Sequence, residues 1–216
     1  MTRALLVVDV QESFRQRPLW RAISNPHIAD DAARLVDGVR ARGDLVVWVL
    51  HTEPGTGGAF DPASGHVRLM APLAPRDGEP VLTKTSHNAF TTTGLQQLLT
   101  QRGITELVVC GIRTEQCCET TARVASDLGY QVTFVTEATA TNPIAHPGAP
   151  QDQAVDELLA DPRTLPASAV IERTEYALGG RFATIATIAD VVAQHATATI
   201  ADAAAQPAQP EAADVH

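Results

Sequence analysis

The chain has 216 residues, of which 44% are hydrophobic and 19% are charged, so it is long enough to bury the core of one globular domain. It carries 16 Lys and Arg against 25 Asp and Glu, a formal net charge of -9, and contains no dense run of basic residues. This balance argues against a nucleic-acid partner, because tracking a phosphate backbone requires clustered positive charge. We therefore expect a single domain over residues 1–195.

Two features of the sequence indicate a cytoplasmic protein. The first apolar stretch, ALLVVDV, is far too short to cross a membrane, is interrupted by Asp9 and lacks a small-residue cleavage site. The three cysteines form no CxxC pair, and the adjacent Cys117 and Cys118 are poorly placed to bridge each other. We therefore expect a reducing compartment, free thiols and no membrane partner.

Short runs rich in Val, Ile and Leu alternate with helix-length segments along the chain. The runs are ALLVVDV, LVVWVL, ELVVCG and QVTFVT, and near-continuous apolar runs are typical of parallel strands covered on both faces. The intervening segments predict helices closed by Gly43, Gly103 and Gly129, over His27–Arg42, Thr93–Arg102 and Thr114–Leu128. The pattern predicts an α/β fold with three layers, α/β/α, and a mainly parallel sheet joined by right-handed crossovers.

The remaining segments carry weaker signals. Residues 52–80 are dense in Gly and Pro, which is typical of a lid or binding loop or of a plain surface excursion. Further on, the pattern predicts a helix over Gln151–Ala160, a short strand over Ala169–Glu172 and a helix over Arg181–Gln194. Residues 196–216 are Ala-rich with Gln-Pro repeats, so we interpret them as a low-complexity tail outside the domain, with a frayed helix as the alternative.

Reactive side chains fall at the ends of predicted strands, where ligands collect in an open parallel sheet. Asp9 lies at the end of the first strand, in VVDVQESF, and a carboxylate near a buried strand end needs a compensating partner. Lys84 closes a short strand in PVLTKTSHNAF, where its ammonium could meet that carboxylate. Considered singly, Asp9 is also consistent with a loop-capping role, and Lys84 with a solvated surface position.

Cys117 follows the strand ELVVCG, in the turn GIRTEQCCETTAR where the chain enters a helix. With Thr114 as N-cap, Cys117 falls at about the third helical position, near exposed amide donors and the positive end of the helix dipole. We therefore expect Cys117 to have a lowered pKa and to act as a nucleophile. A buried structural cysteine remains the alternative for this position.

The adjacent Cys118 points about 100° away from Cys117, so only one of the two can face the strand ends. Cys118 joins Ala122 and Ala125 on a small apolar helix face, which favours packing. We interpret Cys118 as a core residue whose pKa is raised by burial, and Cys110, within a strand, as structural.

Three phrases of the chain, VVDVQESF, KTSHNAFTTTGL and VVCGIRTEQCCETTAR, resemble the signature blocks of the isochorismatase-like cysteine hydrolases, in the same order. The resemblance extends over roughly residues 4–195. It implies a catalytic triad of Asp9, Lys84 and Cys117, in which Asp9 takes the thiol proton and Lys84 stabilises the thiolate.

The resemblance also implies a non-proline cis peptide between Ile112 and Arg113, with the amides of Arg113 and Cys117 forming an oxyanion hole. Aromatic and apolar side chains near these phrases are candidates for an apolar substrate pocket, although such side chains are more often simple core. The candidate substrate contacts are Phe14, Phe90, Ile112 and Tyr176.

One sequence phrase separates this chain from the metal-dependent members of the resembled family. The nicotinamidases of the resembled family bind a metal through an Asp-x-His phrase after the second strand, where this chain has Val49 in place of the Asp. Because His51 and His66 lie on a Gly-rich loop, they are more typical of solvated or structural histidines. We expect no metal, no cofactor and no nicotinamidase activity.

The sequence thus predicts a hydrolase that cleaves a C–N bond of a small amide, ureide or lactam through a thioester on Cys117. The alternatives are an ether hydrolase of the isochorismatase type, which Cys117 argues against because those relatives lack the nucleophilic cysteine, and a catalytically silent interaction protein. The expected partners are a small-molecule substrate and further copies of the chain, in a dimer or tetramer. The substrate itself is not predicted.

Overall fold

A six-stranded parallel sheet forms the centre of the structure, a computed structural model that describes residues 2–193. The strand order is β3-β2-β1-β4-β5-β6, so β1 and β4 lie side by side in the middle. Every pairing in this order is parallel, with a register shift between β4 and β5 near Gly111. The strands are β1 (Arg3–Val8), β2 (Leu45–His51), β3 (Val81–Lys84), β4 (Glu106–Ile112), β5 (Gln131–Ala140) and β6 (Thr184–Ala186).

Helices cover both faces of this sheet. The described helices are α1 (Ile28–Ala41), α2 (Leu95–Gln101), α3 (Glu119–Asp127), α4 (Val155–Ala160) and α5 (Ala167–Leu178), and residues 188–193 are also helical. The apolar residues of α1 and of 188–193 share one core, whereas those of α2, α3 and α5 share the other. The α/β/α architecture predicted from the alternating runs is therefore confirmed.

Strand β1 shows how one apolar run serves both cores. Leu5 and Val7 pack in the core under α1, while Ala4, Leu6 and Val8 pack in the opposite core, and all five side chains are fully buried. Successive side chains point to opposite faces of a strand, so a sheet covered on both sides needs apolar residues at every position. This requirement explains why the strand sequences show continuous rather than alternating hydrophobicity.

The strands predicted from the four apolar runs and the three main helices are confirmed, with small differences at the helix ends. The chain turns with a positive φ at Gly43, Gly103 and Gly129, just after α1, α2 and α3. Glycine enters this left-handed region without the steric cost of a Cβ, which ends each helix where the sequence predicted. The predicted helix over 151–160 is shorter, because α4 begins at Val155.

Two predictions for the C-terminal part were wrong. Residues 169–172, predicted as a strand, lie within α5, where Val170, Thr174 and Leu178 are buried at a spacing of four residues. Residues 184–186, predicted as helix, form the edge strand β6, because Thr184 pairs with Thr133 of β5. The helical residues begin only at 188, and Gln194 and the predicted tail over 196–216 lie outside the described residues.

The long loop over residues 52–80 is anchored to the segment that follows β1. The amide of Met70 donates to Val10 O at 3.0 Å, and the amide of Glu12 donates to Arg68 O at 2.9 Å. Phe60 and Met70 are buried, so this loop packs as part of the domain rather than as a surface excursion. Among residues 2–193, no helix is long and apolar enough to cross a membrane.

Candidate active site

The structure brings the three predicted reactive residues together at the carboxyl ends of the strands. Asp9 directly follows β1, Lys84 is the last residue of β3, and Cys117 lies in the turn that follows β4. Because β2 separates β3 from β1, the long Lys84 side chain extends beneath the end of β2 to reach Asp9. Asp9 and Lys84 are fully buried, and Cys117 is 6% exposed. We call Asp9, Lys84 and Cys117 the floor of the site.

The floor is organised around the Lys84 ammonium. Its Nζ lies 2.7 Å from Asp9 Oδ2 and 3.4 Å from Cys117 Sγ, and it donates to Ser86 O at 3.0 Å. Burying a carboxylate and an ammonium costs several kcal/mol each, so each charge depends on the other for its stability in this position. The arrangement places one cation within reach of both a base and a thiol.

Asp9 is held in a backbone conformation that few residues adopt. Its φ is 55°, in the left-handed region, and its amide donates to Val49 O at 2.8 Å. Aspartate tolerates this region better than most residues, but the conformation still costs free energy and persists only where the surroundings enforce it. The consequence is a carboxylate whose position is set by the backbone.

A close backbone approach positions the segment that leads to Cys117. Gly111 has a φ of 133°, and a Cβ at this residue would lie 1.8 Å from Val8 O of the neighbouring strand. Only glycine fits there. The peptide bond between Ile112 and Arg113, just after this glycine, is cis, as the resemblance implied.

The turn that carries Cys117 differs from the predicted helix start. The N-cap residue is Arg113, and residues Thr114–Cys118 form a π-helical turn in which the amide of Cys118 donates to Arg113 O at 3.1 Å. Thr114 is not the cap, because its hydroxyl donates to Thr139 Oγ1 instead. Cys117 is therefore the fourth residue of the helical segment rather than the third.

The two adjacent cysteines face different surroundings. Cys117 contributes to the wall of a cavity, whereas Cys118 is fully buried among apolar side chains that include Ala122 and Ala125. The structure thus places Cys118 in the core, as predicted, and Cys110 within β4. The hydroxyl of Thr121 donates to Cys117 O at 2.6 Å, which ties this turn to α3.

The predicted oxyanion hole remains a prediction, with one supporting observation. None of the groups within residues 2–193 accepts a hydrogen bond from the amide of Arg113. A backbone N–H beside the nucleophile that lacks an acceptor is available to a substrate oxygen. The roles of the Arg113 and Cys117 amides are thus open to test.

The electrostatics of Cys117 contradict the expected lowering of its pKa. Burial, and then the Asp9 carboxylate, raise the pKa of the Cys117 thiol to about 12, although Lys84 opposes both effects. Burial also raises the pKa of Asp9, again against the influence of Lys84. The helix start does not decide the matter, because desolvation and a neighbouring carboxylate outweigh it. Burial and the Asp9 charge thus favour a protonated Cys117 thiol over a preformed thiolate in the resting site.

A cavity of about 310 Å³ opens above the floor. Its apolar wall is made by Phe14 and by Phe60 from the long loop, whose rings meet edge to face with centroids 5.0 Å apart. Its polar wall includes Arg17, Glu53 and Arg113. A cavity of this size accommodates a small molecule, and the 52–80 loop supplies part of its lining.

The four candidate substrate contacts divide between cavity, core and surface. Phe14 lines the cavity, as predicted. Phe90 is buried and stacks on Tyr130 with ring centroids 6.0 Å apart, and Ile112 is fully buried in the core on the α1 side. Tyr176 was a wrong prediction, because it lies on the outward side of α5 and is 82% exposed.

The residues around His51 do not fit a metal site of the nicotinamidase type. Val49 is fully buried in the sheet and offers no ligand atom. His51 Nδ1 lies 3.4 Å from Lys84 Nζ, and its Nε2 lies 3.3 Å from Glu53 Oε1, so both ring nitrogens already face other groups. Burial, and then Lys84, lower the pKa of His51. Within residues 2–193, no three His, Cys, Asp or Glu side chains cluster as metal ligands would.

Sequence reasoning missed several residues that shape the site. Gln11 is fully buried and pairs through its side-chain amide with the backbone of His51, donating to His51 O at 3.0 Å and accepting from His51 N at 2.7 Å. Its place in the phrase VVDVQESF was the available signal. Phe60 and Arg17 had no local signal, because their contribution depends on how distant loops fold over the strand ends.

Comparison with known proteins agrees with this fold. The model of the isochorismatase domain family matches residues 3–175. The chain is 38% identical over 185 residues to streptothricin hydrolase of Streptomyces noursei, an overlap of 82% of this chain but only 59% of that protein. It is 32% identical over 189 residues to the isochorismatase family protein YddQ of Bacillus subtilis, covering 87% of this chain and 97% of YddQ.

Solved structures give the same result. The crystal structure of an isochorismatase from Pseudomonas putida superimposes with a TM-score of 0.75 at 29% identity, covering 88% of this chain and 89% of that one. The chain belongs to the isochorismatase-like cysteine hydrolase family.

Proposed function

We propose that the protein is a metal-free, cysteine-dependent hydrolase that cleaves a C–N bond of a small amide, ureide or lactam through a thioester intermediate. The observation that carries this proposal is the floor itself, in which Lys84 Nζ lies 2.7 Å from Asp9 Oδ2 and 3.4 Å from Cys117 Sγ at the base of a cavity. The similarity to streptothricin hydrolase favours C–N hydrolysis over ether hydrolysis.

The first step is attack of Cys117 on the substrate carbonyl. Since burial raises the pKa of both groups, the Cys117 thiol keeps its proton until attack and the Asp9 carboxylate is a stronger base than an exposed aspartate. The thiol proton moves to Asp9 as the S–C bond forms. Lys84 stabilises the negative charge that develops on sulfur, and the amides of Arg113 and Cys117 donate to the substrate oxygen.

The tetrahedral adduct then collapses. The C–N bond breaks, the Asp9 proton passes to the departing nitrogen, and an acyl thioester remains on Cys117. Water attacks this thioester, giving one proton to Asp9 as the S–C bond breaks and the acid leaves. The returned proton restores the Cys117 thiol, so that atoms and charges balance over the cycle.

A screen of small amides, ureides and lactams, with streptothricin included, tests the proposal. Release of ammonia or amine is followed by a coupled assay, and the acyl product by mass spectrometry. We expect turnover of at least one class by the wild-type chain and none by Cys117→Ala. Cys118→Ala is the matched control, because Cys118 is adjacent in sequence but buried away from the cavity.

The proposed intermediate gives a second, independent readout. Rapid acid quenching during turnover should trap an acyl group on the peptide that contains Cys117. Turnover that survives Cys117→Ala, or hydrolysis confined to a vinyl ether with no C–N cleavage, would show that the proposal is wrong.

A further inference from the structure

Two arginine side chains of the cavity wall form no salt bridge with any residue between 2 and 193. Arg17, between the two short turns that follow β1, and Arg113, next to the nucleophile turn, both line the cavity that Cys117 opens into. Within residues 2–193, neither guanidinium forms a salt bridge or donates a hydrogen bond. A guanidinium remains charged at any ordinary pH, so both present positive charge to this space.

The carboxylates near the two arginines have partners of different kinds. Asp9 is paired with Lys84 at 2.7 Å, and Glu53 lies 3.3 Å from the His51 ring. Glu115, which influences Arg113 from outside the cavity lining, accepts a hydrogen bond from Thr141 Oγ1 at 2.5 Å. Lys84 offsets the charge of Asp9, but burial and Lys84 lower the pKa of His51, so its ring does not offset the charge of Glu53. Among the residues that line the cavity, two guanidiniums therefore face one carboxylate without a cationic partner, and positive charge is in excess.

The two guanidiniums also affect each other. Burial, and then the positive charge of Arg17, lower the pKa of Arg113. Two cations that face the same small space repel each other, and this repulsion is relieved when an anion lies between them. An anion held there would share a cavity of about 310 Å³ with the Cys117 thiol.

We propose that Arg17 and Arg113 form an anion subsite, and that the substrate of this hydrolase carries a carboxylate or similar anionic group close to the bond that is cleaved. The planar guanidinium presents paired N–H donors that match the two oxygens of a carboxylate. The substrate class rests on the proposed function. The subsite itself does not, since it depends only on the charge and shape of the cavity.

Alkylation of Cys117 measures the charge preference without any turnover. Iodoacetate and iodoacetamide undergo the same substitution, in which the S–C bond forms, the C–I bond breaks, iodide leaves and the thiol proton is released. The two reagents differ in that only iodoacetate carries a carboxylate. The ratio of their rates at Cys117, divided by the same ratio for free cysteine at the same pH, reports the subsite alone.

The variants are made in a Cys118→Ala background, because Cys117 and Cys118 share one tryptic peptide and must be told apart. We expect the normalised iodoacetate preference to exceed about tenfold at low salt, and to weaken as added salt screens the attraction. Arg17→Gln and Arg113→Gln should each reduce it several-fold, and the double variant should bring it close to one. Arg15→Gln is the matched control, because Arg15 is a neighbouring surface arginine paired with Glu12 at 3.0 Å.

A normalised preference near one in the parent chain, or one that the double variant retains, overturns the subsite. Melting curves of each variant identify loss of fold, and Arg17→Lys and Arg113→Lys, which keep the charge, should retain part of the preference in folded protein. A double variant that does not fold leaves the two single variants and the salt series to decide.

Turnover of matched substrates then tests the substrate class. Succinamate carries a carboxylate beside its amide, and its methyl ester is the neutral counterpart. We expect the kcat/KM of the parent chain to favour succinamate over the ester by tenfold or more, and this ratio to fall toward one in Arg17→Gln. If the preference of the alkylation assay is present but no amide is hydrolysed, the proposed function fails and the subsite stands. If amides are hydrolysed without charge preference, the substrate class fails and the proposed function stands.

Discussion

The floor of the cavity and the exposed residues of its polar wall are built in opposite ways. Asp9, Lys84 and Cys117 are almost fully buried, sit at strand ends and are joined by contacts of 2.7 and 3.4 Å around one ammonium. Arg17 and Glu53, in contrast, lie on loops, and both are exposed. Buried groups are costly to change because every charge depends on a partner, whereas exposed loop residues change at little cost. This difference implies that the floor residues carry out the reaction and that the wall residues determine which substrate binds.

The largest effect is expected from removing the central cation of the floor. Lys84→Met leaves the Asp9 carboxylate buried without a partner, which costs about 3–5 kcal/mol of unfolding free energy. Turnover should fall by about a thousandfold or more, because the negative charge on sulfur loses its cation. Urea unfolding and steady-state kinetics measure the two effects.

The double variant Asp9→Asn with Lys84→Met is the control for that experiment. Removing both charges should recover a large part of the lost stability without recovering turnover. If Lys84→Met is as stable as the wild-type chain, or if it keeps wild-type turnover, the ion pair does not have the importance that its burial implies.

An effect of intermediate size is expected in the reactivity of the Cys117 thiol. With a folded-state pKa of about 12, its thiolate fraction should rise tenfold per pH unit through the neutral and mildly alkaline range. Alkylation by iodoacetamide near pH 8 should therefore be on the order of a thousandfold slower than for free cysteine. Mass spectrometry of the Cys117 peptide, in the Cys118→Ala background, measures the rate. A rate that levels off above about pH 7 would instead indicate a preformed thiolate.

The smallest effect is expected at the residue next to the nucleophile. Cys118→Ala removes one buried sulfur from a packed core and should cost about 1 kcal/mol of stability, with turnover retained. Thermal unfolding and kcat/KM test this, with Cys117→Ala as the paired variant that keeps the fold but loses activity. An inactive but folded Cys118→Ala would mean that the nucleophile is misassigned by one residue.

Much of the fold could be predicted from local sequence. The apolar runs that became β1, β2, β4 and β5 carry their own signal, since a strand buried on both faces needs apolar residues at every position. The convergence of Asp9, Lys84 and Cys117 followed from strand-end placement together with three phrases that resemble a known family. Each apolar run and each phrase is a local pattern, although the three residues that converge are far apart in the chain.

Other features were decided only by the tertiary structure. Residues 184–186 form a strand because β5 leaves an open edge for them, and Val170 is helical because its neighbours at four-residue spacing meet a core. The pKa of Cys117 is raised by burial of the thiol and then by the carboxylate of Asp9, more than a hundred positions away in the chain. These features depend on strand pairing, on desolvation and on how loops pack over the cavity. Each of these joins parts of the chain that are distant in sequence, so no local pattern of residues predicts them.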